Sequence, residues 1–261
     1  MQIAVNLVKK AIKNKEKVMV CGDYDVDGIT SLTLLKNTLN FLGLNVVHYL
    51  PHRIKDGYGL NKDTLQLAKQ KNIKLLITAD CGISNHQQIK ELRRSNIEVI
   101  ITDHHEPQDM ELPPASSIIN PRLKSSGYKY RDLAGVGVAY KLCQAITGST
   151  LLDDLDLVSL GTIADVVPLL SENRIMVKEG LSRLANTKRL GLKALIEISG
   201  IKDKKITSYS VSYILSPRIN ASGRIDTAEV ALNLLMSEKE DEAGELAKTI
   251  DMHNRQRQKI E

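Results

Sequence analysis

Tryptophan is missing from these 261 residues and phenylalanine occurs once, leaving Phe41 and eight tyrosines as the only aromatic faces. Stacking platforms are therefore few. Cysteine is scarce too: Cys21, Cys81 and Cys143 are too few and too scattered for a disulfide framework, which points to a reducing, cytoplasmic setting. With no CxxC pair, a thiolate zinc site is disfavoured, and Cys21 and Cys81 read as small packing residues. No apolar run approaches the length that spans a bilayer, so no membrane association is expected. The opening MQIAVNLVKKAIKNKEK reads as an amphipathic helix with lysines throughout, not as a secretory signal. Internal repeats and low-complexity tracts are also lacking. What is present is an ordinary apolar content of 42%, enough for a real core, and 36 basic against 31 acidic residues, a net charge of +5. That excess suits a polyanionic partner without demonstrating one.

KVMVCGD, LNVVHYLP, KLLITADCG and IEVIITDHH each read as a short buried strand. Between them, segments such as ITSLTLLKNTLNFLG and NKDTLQLAKQKN place apolar residues at helical spacing. Strands alternating with helices at this pitch predict an α/β fold with a parallel β-sheet and helices on both faces. After Pro121 the pattern turns mainly helical, through LAGVGVAYKLCQAIT, DDLDLVSLGTIADVV, NRIMVKEGLSRLAN and LGLKALIEISG. The chain ends in EKEDEAGELAKTIDMHNRQRQKIE, a highly charged stretch with a thin apolar stripe, as expected of a long solvated helix. The expected division is a catalytic α/β domain over 1–150, a helical part over 151–235, and the start of a long connecting helix over 236–261.

Three of the strands end in acid or imidazole. DYDVDG supplies Asp23, Asp25 and Asp27, LLITA leads to Asp80, and VIIT leads to Asp103, His104 and His105. The carboxyl ends of parallel strands share one edge of the sheet, where the binding crevice lies, so these groups converge. Any one Asp after a strand is commonly a helix N-cap. Jointly they repel one another, and divalent cations are what best relieves such a cluster. Oxygen donors outnumber imidazoles, which favours manganese or magnesium over zinc. A carboxylate-rich site of this kind can hold two ions, and that arrangement suits phosphoester hydrolysis. Asp165, set among small and apolar residues in SLGTIADVVPLL, is either a buried cap or a further ligand.

Two more stretches suit phosphate contacts. PHRIKDGYGL places Arg53, Lys55 and Tyr58 on a glycine-rich loop, and SPRINASGR, read as a second loop, places Arg218, Asn220 and Arg224 beside Ser216, Ser222 and Gly223. AGVGVAYK lacks the preceding strand and third glycine of a dinucleotide fingerprint, so a tight helix start is expected there.

DYDVDG, ADCG, TDHH and LGTIADVVPL, in this order, resemble the motifs of the DHH phosphoesterase superfamily, whose name is the triplet seen here as Asp103-His104-His105. Together with PHRIKDGYGL, LAGVGVAYK and SPRINASGR they resemble its RecJ branch, the single-strand-specific exonucleases, from about Val18 to Arg224. The resemblance implies hydrolysis of single-stranded DNA from the 5′ end to mononucleotides, in DNA repair and recombination, with two Mn2+ or Mg2+ ions. It implies Asp25, Asp27, Asp80, His104 and Asp165 as metal ligands, with Asp80 bridging, and Asp80, His104 and His105 as the catalytic set. His105 would face the scissile phosphate, and Asp23 would be a ligand or a support behind the ligands. Arg53, Tyr58, Ser216, Arg218, Asn220 and Arg224 would bind the strand, Tyr58 by stacking. Single-stranded DNA is the implied partner, with a single-strand-binding protein and a helicase as further candidates. The resemblance implies a second domain beyond the long helix that closes the cleft, and on that expectation the sequence is either a fragment or a reduced relative.

Two alternatives stay open on the sequence. Other members of the superfamily hydrolyse short oligonucleotides or signalling dinucleotides, though their first motif usually starts with His where Cys21 stands here. A nucleic-acid-binding scaffold without catalysis would show replaced ligands, and none of the matched positions is replaced.

Overall fold

The four apolar runs form strands β1 (Val18–Gly22), β2 (Val46–Tyr49), β3 (Leu75–Ala79) and β4 (Glu98–Thr102) in a computed structural model of the chain. The structure describes residues 1–53, 55, 57–107 and 111–260. Ile54 and Asp56 of the glycine-rich loop, and Glu261 at the end of the expected connecting helix, lie outside them. A fifth strand, β5 (Ser117–Ile119), is three residues long, too short for any period to announce it. The order is β2-β1-β3-β4-β5 and every pairing is parallel, in a register that aligns Val20 with Ile77 and Ile77 with Ile100.

Alternate residues of the strands enter two different cores, because successive side chains point to opposite faces. Val18, Val20, Leu75 and Ile77 pack with helices α1 (Gln2–Asn14), α2 (Val26–Phe41) and, further along the chain, α5 (Gly135–Thr147). Met19, Cys21, Leu76, Val99 and Ile101 pack with α3 (Lys62–Gln70) and α4 (His86–Arg94) on the other face. The sheet is thus covered on both sides, as expected. Cys21, Cys81 and Cys143 are buried and unpaired, and burial pushes all three thiols up.

The helical part follows: α6 (Leu155–Ala164), α7 (Ser171–Ala185), α8 (Leu190–Ile198), a single turn α9 (Ser208–Ser210), α10 (Ser216–Ile225), α11 (Glu229–Met236) and α12 (Glu240–Ile260). Its core is continuous with that of the sheet, one apolar cluster running from Ala4 to Ile250. α12 is charged overall but sets Ala243, Ala247 and Ile250 against it. SPRINASGR is not the loop its glycine, serine and proline suggest but helix α10. Pro217 falls in the first turn of α10, directly after a π-helical segment over Val211–Leu215, and buried Ile219 and Ala221 anchor the helix.

Candidate metal centre

The strand order reverses direction between β1 and β3, and in an open parallel sheet the crevice lies at that switch point, beyond the carboxyl ends of the strands. The DYDVDG turn leaves β1 there and Asp80 leaves β3, while β4 delivers His104 and His105 alongside. Asp165 arrives from elsewhere, at the C-terminal cap of α6.

These groups meet in three overlapping clusters: Asp27, His104 and Asp165; Asp80, His104 and His105; and Asp23, Asp25 and Asp80. Within each, one potential ligand atom per residue lies within 4.8 Å of the others. His104 Nε2 stands 3.2 Å from Asp80 Oδ1, 3.5 Å from Asp165 Oδ2 and 3.9 Å from Asp27 Oδ2. All of the residues except Asp25, Asp165 and His105 are buried.

Some of these acids are partly satisfied by the protein. Asp25 caps α2 by accepting the Gly28 N–H at 3.0 Å, so the bland N-cap role and membership of the cluster coexist in one residue. Asp27 accepts the N–H groups of Gly135 and Val136 at 2.6 and 2.8 Å, closing the open end of α5, whose own N-cap residue Ala134 has no side-chain acceptor. AGVGVAYK is therefore the helix start expected of it. Gly135 is required by close approach, since a Cβ there would overlap Asp80 Oδ1.

Others are left without partners. Asp23 Oδ1, Asp80 Oδ1, Asp165 Oδ2 and both ring nitrogens of His104 are buried and make no hydrogen bond. Buried polar atoms are almost always paired, so five in one set of overlapping clusters need an explanation. Burial, then the charges of Asp27 and Asp25, hold Asp80 well above the usual carboxylate range. Burial, then Asp165 and Asp25, do the same to Asp27. Burial and Asp25 push Asp23 up to about 7 and Asp165 up to about 6. Asp165 also faces the negative end of the α6 dipole, which disfavours its charge further. His104 is pulled down to about 4 by burial first and then by His105, so it is a neutral imidazole, the form that ligates a metal. An oxygen-rich set with one neutral imidazole fits manganese or magnesium.

The sequence did not reveal what holds His105. Asp103 is completely buried and accepts from the N–H groups of Ile83, His104 and His105. It also takes the Nδ1–H of His105 at 2.8 Å, which raises that imidazole and leaves Nε2 as the nitrogen not engaged by Asp103. Asn120, buried just past β5, donates to the His105 carbonyl at 2.9 Å. Both signals were in view, Asp103 in the triplet and Asn120 after an unrecognised strand.

The residues read as strand contacts divide. Ser216, Asn220 and Arg224 line a cavity of ≈ 180 Å³ together with Val166, Ser212, Pro217 and Arg257, next to the Asp165 turn. Arg53 is exposed, its guanidinium 5.3 Å above the ring of Tyr24 in the DYDVDG turn. Arg218 is not brought to the cavity: its Nε donates to Asp251 Oδ1 at 2.9 Å and its Nη1 to the Ile214 carbonyl at 2.8 Å, tying α10 to α12. Tyr58 turns its hydroxyl into the metal centre, donating to the Asp80 carbonyl at 2.9 Å and lying 3.1 Å from His105 Nδ1. Its ring meets His105 edge-on.

Residues 17–162 match the model of the DHH family, N-terminal domain. The single-stranded-DNA-specific exonuclease RecJ of Bacillus subtilis is 45% identical over 260 residues, covering 100% of this chain and 33% of that protein. The RecJ of Haemophilus influenzae is 40% identical, covering 99% of this chain and 47% of that one. A crystal structure of exonuclease RecJ bound to manganese superposes with a TM-score of 0.91 at 35% identity, over 98% of this chain and 66% of that chain. RecJ from Thermus thermophilus in complex with Mn2+ gives 0.87 at 34% identity, over 98% of this chain and 38% of that chain. The chain thus spans between a third and a half of the length of these two curated relatives.

Proposed function

The chain belongs to the DHH family, and from that premise we propose that it is the catalytic part of a 5′-to-3′ exonuclease that degrades single-stranded DNA to mononucleotides in DNA repair and recombination. The observation that carries the proposal is the group of buried, unpartnered atoms on Asp23, Asp80, His104 and Asp165 at the switch point of the sheet. Two Mn2+ or Mg2+ ions would supply Lewis acidity and an acidified water when bound, and the related solved structures are of RecJ with manganese and with Mg2+. Asp25, Asp27, Asp80, His104 and Asp165 would hold them; Asp80 and His104 each belong to two of the three clusters, and of the two only the carboxylate has a second oxygen to offer as a bridge. Asp23 stands with Asp25 and Asp80 as a ligand or as a support for them. His105, half-exposed and oriented by Asp103, offers its Nε2 to a phosphate oxygen.

Residues 1–150 contribute most of this centre, and 151–235 add Asp165 and the cavity of Ser216, Asn220 and Arg224, which suits the phosphates of the strand. Arg53, at the rim, would take a further phosphate. Among the described residues no helix is long and apolar enough to cross a membrane. A cytoplasmic location is part of the proposal, supported by three unpaired cysteines. A single-strand-binding protein or a helicase as partner rests on the family resemblance alone.

The test is digestion of a 5′-phosphorylated single strand by the purified chain with Mn2+, beside the same sequence as a duplex and beside a dinucleotide. Release of 5′ mononucleotides from the single strand, abolished by chelator, is expected. Hydrolysis of the dinucleotide alone would move the chain to the oligonucleotide phosphodiesterases. Salt-dependent strand binding with no divalent-ion binding would make it a scaffold.

A further inference from the structure

Two of the few aromatic residues are displayed at the surface. Tyr209 and Tyr213 are 65% and 70% exposed, and their rings lie 4.8 Å apart at an interplanar angle of 33°. Water-exposed rings held against each other leave broad apolar faces uncovered, which a monomer gains nothing by keeping. Tyr213 sits in the Val211–Leu215 segment, which is π-helical, a local irregularity that occurs disproportionately at functional sites.

Their position connects them to the metal centre. Tyr209, Tyr213, Pro217, Asn220 and Arg224 recur at intervals of four, four, three and four, the spacing of a single helical face. The last three line the cavity beside the Asp165 turn, and so does Ser212, between the two tyrosines. The cavity is two-sided in chemistry. Asn220, Arg224, Arg257 and Ser216, whose buried Oγ has no partner, form its polar side. Val166 and Pro217 are apolar, and Val166 is 85% exposed with φ +60°, a left-handed conformation that a β-branched residue rarely adopts. The turn leading to Tyr209 adds Lys204 and Lys205 against one acid, Asp203, while Lys202 pairs with Glu197 at 3.1 Å. A nucleotide is divided in the same way, an anionic phosphate joined to a flat apolar base.

We propose that Tyr209 and Tyr213 are a stacking platform for bases of the single strand whose phosphates enter the neighbouring cavity. This rests on the strand-binding reading above and adds to it a sequence-tolerant contact that does not depend on charge. Stacking of one base on an aromatic side chain is worth about 1–3 kcal/mol, or roughly 5- to 150-fold in affinity.

The test compares a 5′-phosphorylated oligothymidine with an abasic strand of equal length and charge, by fluorescence anisotropy with the metal chelated so that nothing is cleaved. The wild-type chain is expected to prefer the base-bearing strand by about tenfold. Tyr209→Ala with Tyr213→Ala should erase that preference and leave the salt dependence of binding unchanged, while Tyr209→Phe with Tyr213→Phe should keep it. Both residues are exposed, and an unchanged melting temperature confirms that the variants fold. A double alanine variant that still prefers bases overturns the platform and leaves the strand-binding reading intact. Absence of salt-dependent binding to either strand by the wild type overturns the strand-binding reading, and the platform with it. Self-association of the wild type that the double variant loses, with base preference unaltered, would assign the pair to a protein interface and also overturn the platform.

Discussion

Asp80 and Asp156 are each 2% exposed, yet they sit in opposite circumstances. Asp156, in the first turn of α6, accepts the Leu157 N–H at 2.6 Å, the Thr187 hydroxyl at 2.6 Å and the Arg189 Nε at 3.2 Å. Its charge is answered entirely from within the chain, and Arg189 reaches Asp154 as well. Asp80 has an oxygen with no partner, a histidine beside it that is neutral, and further carboxylates around it. An ion-paired buried acid belongs to the architecture. A buried acid surrounded by other acids is stable only when something from outside supplies positive charge. Burial alone therefore does not distinguish structural from functional carboxylates, whereas the inventory of their partners does.

Substitution at the two positions should separate them most sharply. Asp80→Ala removes the carboxylate shared by two clusters and is expected to lower turnover by ~10³-fold or more, equivalent to about 4 kcal/mol of transition-state stabilisation. The metal-free variant should melt no lower than the parent, because a repelling carboxylate is gone. Undiminished turnover would remove Asp80 from the centre. Asp156→Ala reverses the pattern, leaving the buried Thr187 hydroxyl unanswered and Arg189 with Asp154 alone, and lowering unfolding stability by about 2 kcal/mol, with the affinity for Mn2+ unchanged in calorimetry. An Asp156→Ala variant as stable as the parent would break the comparison from the other side.

The acid cluster should also make the metal-free chain pH-sensitive. Asp23 near 7, Asp165 near 6, and Asp27 and Asp80 well raised all bind protons more tightly in the folded chain than an unfolded carboxylate near 4 would. Folded protein then holds more protons than unfolded above pH 4, so stability falls as pH rises through 6 to 8. His104, lowered to about 4, acts in the opposite sense as pH drops below 6.5, but it stands against the four acids and against His105, whose raised imidazole also loses its stabilising proton as pH rises. The melting temperature without metal is expected to be higher at pH 6 than at pH 8, by roughly 5 °C. Added Mn2+ should raise it more at pH 8, where protons no longer compete for the same oxygens. Equal metal-induced shifts at both pH values would show that the cluster is not where the ion binds.

Much of this contrast was legible in the sequence, and the illegible part has a physical pattern. The strands β1, β3 and β4 are continuous apolar runs because helices cover both faces of the sheet, and each runs directly into acid or imidazole. Asp165 was visible as an acid in apolar surroundings. What stayed hidden depends on partners distant in the chain. α10 looks like a turn because serine, glycine, asparagine and proline favour turns locally, and only its packing against α12 and the DYDVDG turn makes it a helix. Arg218 looked like a phosphate contact because Asp251, which takes its guanidinium, lies 33 residues later. Asn120 follows a strand of three residues, below the length at which alternation can be read.

Tyr58 tests how far the protein itself, apart from any cation, organises the acidic side of the comparison. Asp80 has φ +64°, a left-handed backbone that Asp tolerates but does not favour, and the Tyr58 hydroxyl holds the carbonyl of that same residue. The hydroxyl also lies against His105 Nδ1, which Asp103 already engages. Tyr58→Phe deletes both contacts and keeps the ring. If the phenol positions Asp80 and His105, kcat should fall by about tenfold, near 1.4 kcal/mol, with KM little changed. If instead the ring stacks on a base, as the family resemblance implies, phenylalanine would preserve kcat and KM alike, and only Tyr58→Ala would raise KM. The hydrogen bond to the Asp80 carbonyl favours the first outcome, because it is made to backbone that the acid cluster needs and that no bound strand would have to touch.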